Sequence, residues 1–233
     1  PNSTLRFGAS GGTVYYMTDG SDPRLAGGAV RPGSLSYEPA SVTRVVLPRQ
    51  SNWKYRDTGV DLGSSWRGSQ YDDANWASGR AELGYGDGDE ATVVSFGPNA
   101  NSKFITTYFR RQFTITDASA VTGLTLRLRR DDGAVVYING IEAARDNLPS
   151  GTITASTLAS NAADDGATFV TFTLAPSLLV NGNNTIAVEI HQASSTSSDI
   201  SFDAELEVVE QASLPLPLQN PGTYAARVRN SDG

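Results

Sequence analysis

The sequence predicts an all-β fold, an antiparallel sandwich or barrel, and three observations predict it. Apolar residues recur with period two: Leu124-Thr125-Leu126-Arg127-Leu128-Arg129 puts leucine on one face and Thr or Arg on the other. Turn clusters such as Asp19-Gly20-Ser21-Asp22-Pro23 and Asn181-Gly182-Asn183-Asn184 separate the short apolar runs. The 233 residues include 23 Gly and 11 Pro, with many Ser, Thr and Asn, which favour turns and caps over helix interiors.

The elements follow in order. Residues 13–17 form a strand that stops at the Asp19–Pro23 turn, and residues 24–41 read as loop. Residues 42–47 are a strand closed by Pro48, and 53–56 are short and extended. Residues 57–103 read as long ordered loops rich in aromatics and acids, with 91–96 the best strand among them. Residues 108–115 and 124–129 are strands. Asp131-Asp132-Gly133 is expected to turn the chain so that 134–138 pairs back as a hairpin. Asn139-Gly140, the favoured type I′ pair, then returns 141–145 alongside. Residues 168–174, 185–190 and 200–209 complete the set of long strands. Short helical pieces are expected at 72–76 and 176–180. Residues 211–222 contain Pro215, Pro217 and Pro221 and read as a linker before a last strand at 224–228.

Composition excludes several functions. Lys plus Arg is 18 and Asp plus Glu is 25, a net charge of −7. That balance, with no basic run, argues against a sequence-independent nucleic-acid binder and against attraction to an anionic membrane. No apolar stretch approaches the roughly 20 residues that span a bilayer. Cysteine is absent, which removes disulfides, thiolate nucleophiles and cysteine zinc sites. The ends, Pro1-Asn2-Ser3-Thr4 and Asn230-Ser231-Asp232-Gly233, read as cuts inside a longer polypeptide.

Four stretches in order carry a resemblance. They are Tyr71-Asp72-Asp73-Ala74-Asn75-Trp76, residues 107–113 (Thr-Tyr-Phe-Arg-Arg-Gln-Phe), residues 134–142 around Tyr137-Ile138-Asn139-Gly140, and residues 178–188. Together they resemble the galactose-binding-like jelly-roll sandwich found at the front of many β-galactosidase-type hydrolases. Flanking it, residues 11–24 and 224–230 resemble the opening hairpin and a later strand of a chitobiase C-terminal-type β-sandwich. The resemblance implies a jelly-roll β-sandwich over 48–210 with a smaller flanking β-sandwich element. The flanking element would comprise 1–47 and, after a linker, a returning strand within 211–233. Such an arrangement is similar to extracellular bacterial multidomain proteins, including those with lamin-tail-like and CotH-like modules, and implies a secreted or cell-surface setting.

Candidate chemistry is sparse. His191 is the one histidine, so no histidine pair can hold a metal. The run Ser194, Ser195, Ser197, Ser198 and Asp199 follows it, but no Gly-x-Ser-x-Gly elbow supports a nucleophilic triad. The pairs Asp72-Asp73, Asp131-Asp132 and Asp164-Asp165 are adjacent, which suits turn capping better than a catalytic dyad. The loop Gly84-Tyr85-Gly86-Asp87-Gly88-Asp89-Glu90 offers Asp87, Asp89 and Glu90 as oxygen ligands for a structural Ca²⁺, with Asp57–Asp61 a weaker candidate. Arg127 and Arg129 share a strand face that would be solvated or would grip an acidic sugar.

Aromatics carry the sugar reading. Trp53 and Trp76 are expected in the core, and Trp66, Tyr71 and Tyr85 on exposed loops, where rings stack on the apolar faces of sugars. Asp131, Asp132, His191 and Asp199, at strand ends, would be their polar partners. The function expected is a non-catalytic carbohydrate-binding accessory module that holds neighbouring modules of its chain on a polysaccharide. The alternatives are a structural spacer of a surface protein and a glycoside hydrolase fragment.

Overall fold

In a computed structural model of the chain, the structure describes residues 4–5, 13–37, 40–160, 162, 164–211, 216–217 and 225–229. The strands are β1 (Thr4–Leu5), β2 (Thr13–Met17), β3 (Leu35–Tyr37), β4 (Ser41–Leu47), β5 (Asn52–Arg56) and β6 (Ala77–Arg80). Next come β7 (Leu83–Tyr85), β8 (Thr92–Val93), β9 (Thr106–Ile115), β10 (Val121–Asp131), β11 (Gly133–Ile138) and β12 (Ile141–Asp146). The last are β13 (Val170–Leu174), β14 (Gly182–His191), β15 (Ile200–Gln211), β16 (Leu216–Pro217) and β17 (Ala225–Arg229). The fold is all-β. It divides into two compact units, one of Pro1–Thr43, Ser119–Thr122 and Val209–Gly233, the other of Arg44–Ala118 and Gly123–Val208.

The smaller unit holds a three-stranded sheet, β17-β2-β3, and the two-stranded pair β1-β16. Arg229 to Ala225 run antiparallel to Thr13–Met17. The linker reading of 211–222 falls outside the described residues except at Gln211, which ends β15, and at Leu216 and Pro217, which pair with Leu5 and Thr4.

The larger unit is a sandwich of two sheets. One has the order β13-β10-β15-β7-β8, with β4 also pairing β15, and the other β12-β11-β14-β9-β5-β6. The pairs β10·β13, β7·β15, β11·β12, β11·β14, β9·β14, β5·β9 and β5·β6 are antiparallel, and the two-residue β7·β8 contact is parallel. Side chains at alternate positions meet between the sheets. Phe202 on β15 stacks on Phe109 of β9 at 4.2 Å between ring centroids and meets the edge of Trp53 on β5 at 4.8 Å. Leu124, Leu126 and Leu128, the alternating leucines of β10, are buried in this layer. Each such side chain removed from water stabilises the fold by roughly 1.5–3 kcal/mol.

The second sheet is covered on its other face too. Every residue of β11 is buried, although adjacent residues point to opposite faces. Val136 and Ile138 face one way, while Val135 and Tyr137 join a second cluster with Trp66, Trp76, Tyr108, Ile153 and Ala187. The irregular segment 57–76 supplies the tryptophans. It is stapled to β9 by Arg110, whose guanidinium donates to Asp73 at 2.8 Å and to the carbonyls of Trp66 and Gly68.

Four local expectations differ from what is observed. Leu35–Tyr37, inside the 24–41 segment expected as loop, is β3 and pairs with β2. Asp131-Asp132-Gly133 is not a hairpin turn. β10 and β11 belong to different sheets, and the chain crosses the sandwich at Asp132. Gly133 is required there, because a Cβ would lie 2.7 Å from that of Ala159. Between 77 and 96 the main strands are β6 and β7, and only Thr92 and Val93 of the expected 91–96 strand pair. β7 is three residues long and centred on glycine, too short to show alternation. Residues 72–76 are a turn, with Ala74 N–H donating to Asp72 Oδ1 at 2.9 Å and Trp76 N–H to the Asp73 carbonyl at 3.0 Å. Residues 176–178 form one turn of 3₁₀ helix.

Candidate functional site

The expected aromatic platform is not at the surface. Trp66 is 0% exposed, its ring edge-on to Tyr108 at 4.8 Å and to Tyr137 at 5.9 Å, and its indole N–H donates to the Gly63 carbonyl at 3.1 Å. Tyr85 is 5% exposed and packs edge-on against Phe96 at 5.3 Å. Tyr71 is half-buried against Trp76 and the Arg110 guanidinium. Trp53 and Trp76 are buried, as expected. The reason is size: a long irregular segment without disulfides holds its place by burying large rings, so the loop aromatics serve as anchors.

His191 is not a ligand-facing residue either. It is fully buried on β14, with Nδ1 2.8 Å from the Thr157 carbonyl and 3.0 Å from the Thr106 hydroxyl. Nε2 lies 3.4 Å from Glu189, a buried carboxylate that accepts from Tyr137 at 2.6 Å and pairs with Arg67 at 3.3 Å. Among the described residues, no hydrogen bond links His191 to the serines that follow it, so the triad reading has no geometry. Ser197 instead donates to Asp132, and Ser198 to Asp199.

Asp131, Asp132 and Asp199 are buried and so do not form an exposed polar rim. The structure does bring two of them together. Asp131, Asp165 and Asp199 each place a carboxylate oxygen within 4.8 Å of the others. Burial, then the charges of Asp132, Asp199, Asp165 and Asp87, push the Asp131 carboxyl up to about 8. Asp132 points elsewhere and accepts from Ala162 N–H at 3.1 Å, Ala193 N–H at 2.6 Å and the Ser197 hydroxyl at 3.1 Å. Asp165, from a pair read as turn-capping, is the member that the sequence left out. Its partners are remote in sequence, and only the crossing at Asp132 brings them near.

The glycines explain how this end closes. A Cβ on Gly84 would lie 2.0 Å from the Ile200 carbonyl oxygen, and one on Gly86, at φ +113°, 2.5 Å from Asp199 Cβ. A Cβ on Gly166 would lie 2.9 Å from Ser201 Cβ and 3.2 Å from Asp131 Cβ. The glycine run is thus a close approach of β7 to β15.

The metal set expected in that loop is altered. Asp87 and Asp89 group with Glu82. Glu90 is spent on its own loop, accepting from Asp87 N–H at 2.9 Å and Gly88 N–H at 3.1 Å. Burial raises the Asp87 carboxyl above its ordinary range despite a hydrogen bond from Ser201 at 3.0 Å. Asp61 caps its own turn, accepting from Gly63 N–H at 2.8 Å, and Asp57 ties its loop to a distant segment, accepting from Ser95 N–H at 2.6 Å.

A cavity of about 340 Å³ in the larger unit shares Glu82 and Asp89 with the acidic group that also holds Asp87, and falls within the 300–1,000 Å³ or so of small-molecule sites. Its wall presents guanidiniums from Arg49, Arg80 and Arg129 and acceptors from Gln50, Glu82, Asp89 and Asp203. The groups are preset. Arg129 pairs with Glu82, Arg49 lies 3.9 Å over the Phe169 ring, and Arg80 donates to Gln50 Oε1 at 2.5 Å. Of these residues Arg129 and Asp89 carried a signal in the sequence, Arg129 through its place beside Arg127 and Asp89 as a candidate cation ligand. Arg127 itself lies outside the cavity and pairs with Glu205 at 2.7 Å and Glu207 at 3.4 Å.

Comparison with known proteins finds no matching family model and no matching curated protein. Solved structures do match. A Bacteroides uniformis beta-glucuronidase is 18% identical with a TM-score of 0.48, over 72% of this chain and 18% of that one. A beta-glycosidase from Bacteroides vulgatus is 19% identical with a TM-score of 0.41, over 71% and 20%. An uncultured Clostridium sp. beta-glucuronidase is 13% identical with a TM-score of 0.46, over 73% and 29%. The chain spans less than a third of the length of each of these proteins.

Proposed function

We propose that the chain is a non-catalytic carbohydrate-binding accessory module of a larger secreted or cell-surface protein, holding neighbouring modules on a polysaccharide. The observation that carries this reading is the mixed-charge cavity. A sugar presents adjacent hydroxyls that each donate and accept, and the wall alternates the planar donors of Arg49, Arg80 and Arg129 with the acceptors of Gln50, Glu82, Asp89 and Asp203. The gain to a neighbouring module is effective concentration, with no bond made or broken here.

Native affinity electrophoresis against neutral and uronate-containing polysaccharides tests it. Retardation by one glycan, weakened in Arg80→Ala, supports the reading. Arg80 is exposed, so its loss leaves the core intact. Burial of Trp53, Trp66, Trp76 and Tyr85 favours a second reading, a structural spacer that binds no sugar. Uniform mobility on every glycan, with an unchanged tryptophan spectrum, would select it.

A further inference from the structure

We propose that Asp131, Asp165 and Asp199 form a binding site for one hard divalent cation, Ca²⁺ by preference. The inference goes beyond the carbohydrate reading and does not depend on it. The three residues come from separate segments: the last position of β10, the loop before β13, and the residue before β15. Their carboxylate oxygens converge within 4.8 Å.

Proximity of acids alone would be weak ground. The independent observation is Asp131 itself. It is 2% exposed, yet among the described residues its carboxylate takes no hydrogen bond and joins no ion pair. A buried anion with open lone pairs is costly unless something of opposite charge meets it. The adjacent Asp132 shows the contrast, since two backbone N–H groups and a hydroxyl fill its carboxylate. The neighbouring arginine does not answer the charge either. Arg130 turns to Asp146 and Asp164. Gly86 and Gly166 allow the loops to close on Asp199 and Asp131 without a side chain in the way.

The donor set selects the ion. Three carboxylates with no imidazole or thiolate suit a hard cation, and ligands carried on loops suit the large, adaptable coordination of Ca²⁺ better than the strict octahedron of Mg²⁺. The second acidic group, Glu82 with Asp87 and Asp89, is already partly neutralised by the Glu82–Arg129 pair.

The test uses the cation alone. Purified protein is stripped with EDTA and titrated with CaCl₂ or MgCl₂ at constant ionic strength while thermal unfolding is followed. Tb³⁺ luminescence excited through tyrosine provides a direct binding signal. A saturable rise in Tm of several degrees is expected with Ca²⁺, at one ion per chain. Asp165→Asn changes an exposed side chain outside the core, so circular dichroism should be unchanged while cation affinity falls by about tenfold or more. Asp131→Asn should raise the Tm of the stripped protein and remove its response to Ca²⁺. If that variant fails to fold, Asp165→Asn and Tb³⁺ carry the test. No rise with either metal overturns the proposal. So does a rise that survives Asp165→Asn, or one lost instead in Asp89→Asn, which would place the ion at the Glu82 group. An equal response to Mg²⁺ overturns the preference for Ca²⁺. Since no glycan enters the assay, failure here leaves the carbohydrate reading standing.

Discussion

Arg110 and Asp73 are joined at 2.8 Å across the boundary between a regular strand and an irregular segment, with the guanidinium fully buried. The pair, with the carbonyls of Trp66 and Gly68, fixes residues 57–76 onto the outer face of the second sheet. Arg110→Ala leaves those acceptors unpaired and should cost about 3–5 kcal/mol in urea unfolding. Asp73→Asn retains an acceptor and should cost less. Equal and negligible losses would mean that the segment is held by its rings alone.

Trp66→Ala should destabilise the fold by about 3–5 kcal/mol, the range for deleting a buried aromatic side chain. It should weaken glycan retardation only in proportion to unfolding. A fully folded Trp66→Ala protein that lost binding would return this ring to the binding surface.

Gly84→Ala should abolish the folded state or separate β7 from β15, since the new methyl would meet the Ile200 carbonyl oxygen. Gly88→Ala meets nothing within 4 Å and carries only the strain of its φ of +82°, a cost of about 1–2 kcal/mol. Thermal melts of the two variants separate close packing from backbone conformation.

Burial raises the Asp203 carboxyl above its ordinary range, although the Gln50 and Ala204 N–H groups oppose the shift. The folded chain therefore holds this proton more tightly than the unfolded chain does. At low pH both states are protonated and no penalty exists. As pH rises through the ordinary carboxylate range, the unfolded chain ionises first and stability falls. Asp203→Asn removes this penalty, so the stability gap between variant and parent should move in the variant's favour from acid to neutral pH. A gap independent of pH would refute it.

The strands of the larger unit were legible because alternation is local. Leu124, Leu126 and Leu128 announce their face without help from any other strand. Asn139-Gly140 announces its turn, and both residues have positive φ (53° and 86°). What was not legible depends on partners far away in sequence. Adjacent residues cannot reveal that Asp131 starts a crossing between sheets, or that Asp165 will meet it. The aromatic-rich loop departs from expectation for a related reason. Composition shows that rings are present, but whether a sheet face waits beneath them is a tertiary fact. Tyr108, Val135, Tyr137 and Ala187, the alternate residues of strands already buried on their other side, were that waiting face.

The double covering of β11 and β14 sets an order of opening. Amide protons of these two strands should exchange with deuterium last, since two separate layers must lift before water reaches both faces. The outer layer is fastened chiefly by two indoles and by the guanidiniums of Arg110 and Arg67, the second paired with Glu189 of β14. Should it lift first, it would bare a flat row of tyrosine and valine side chains on intact strands, a surface prone to self-association. A protease that cuts within residues 57–76 would therefore leave a core that stays folded but loses its solubility.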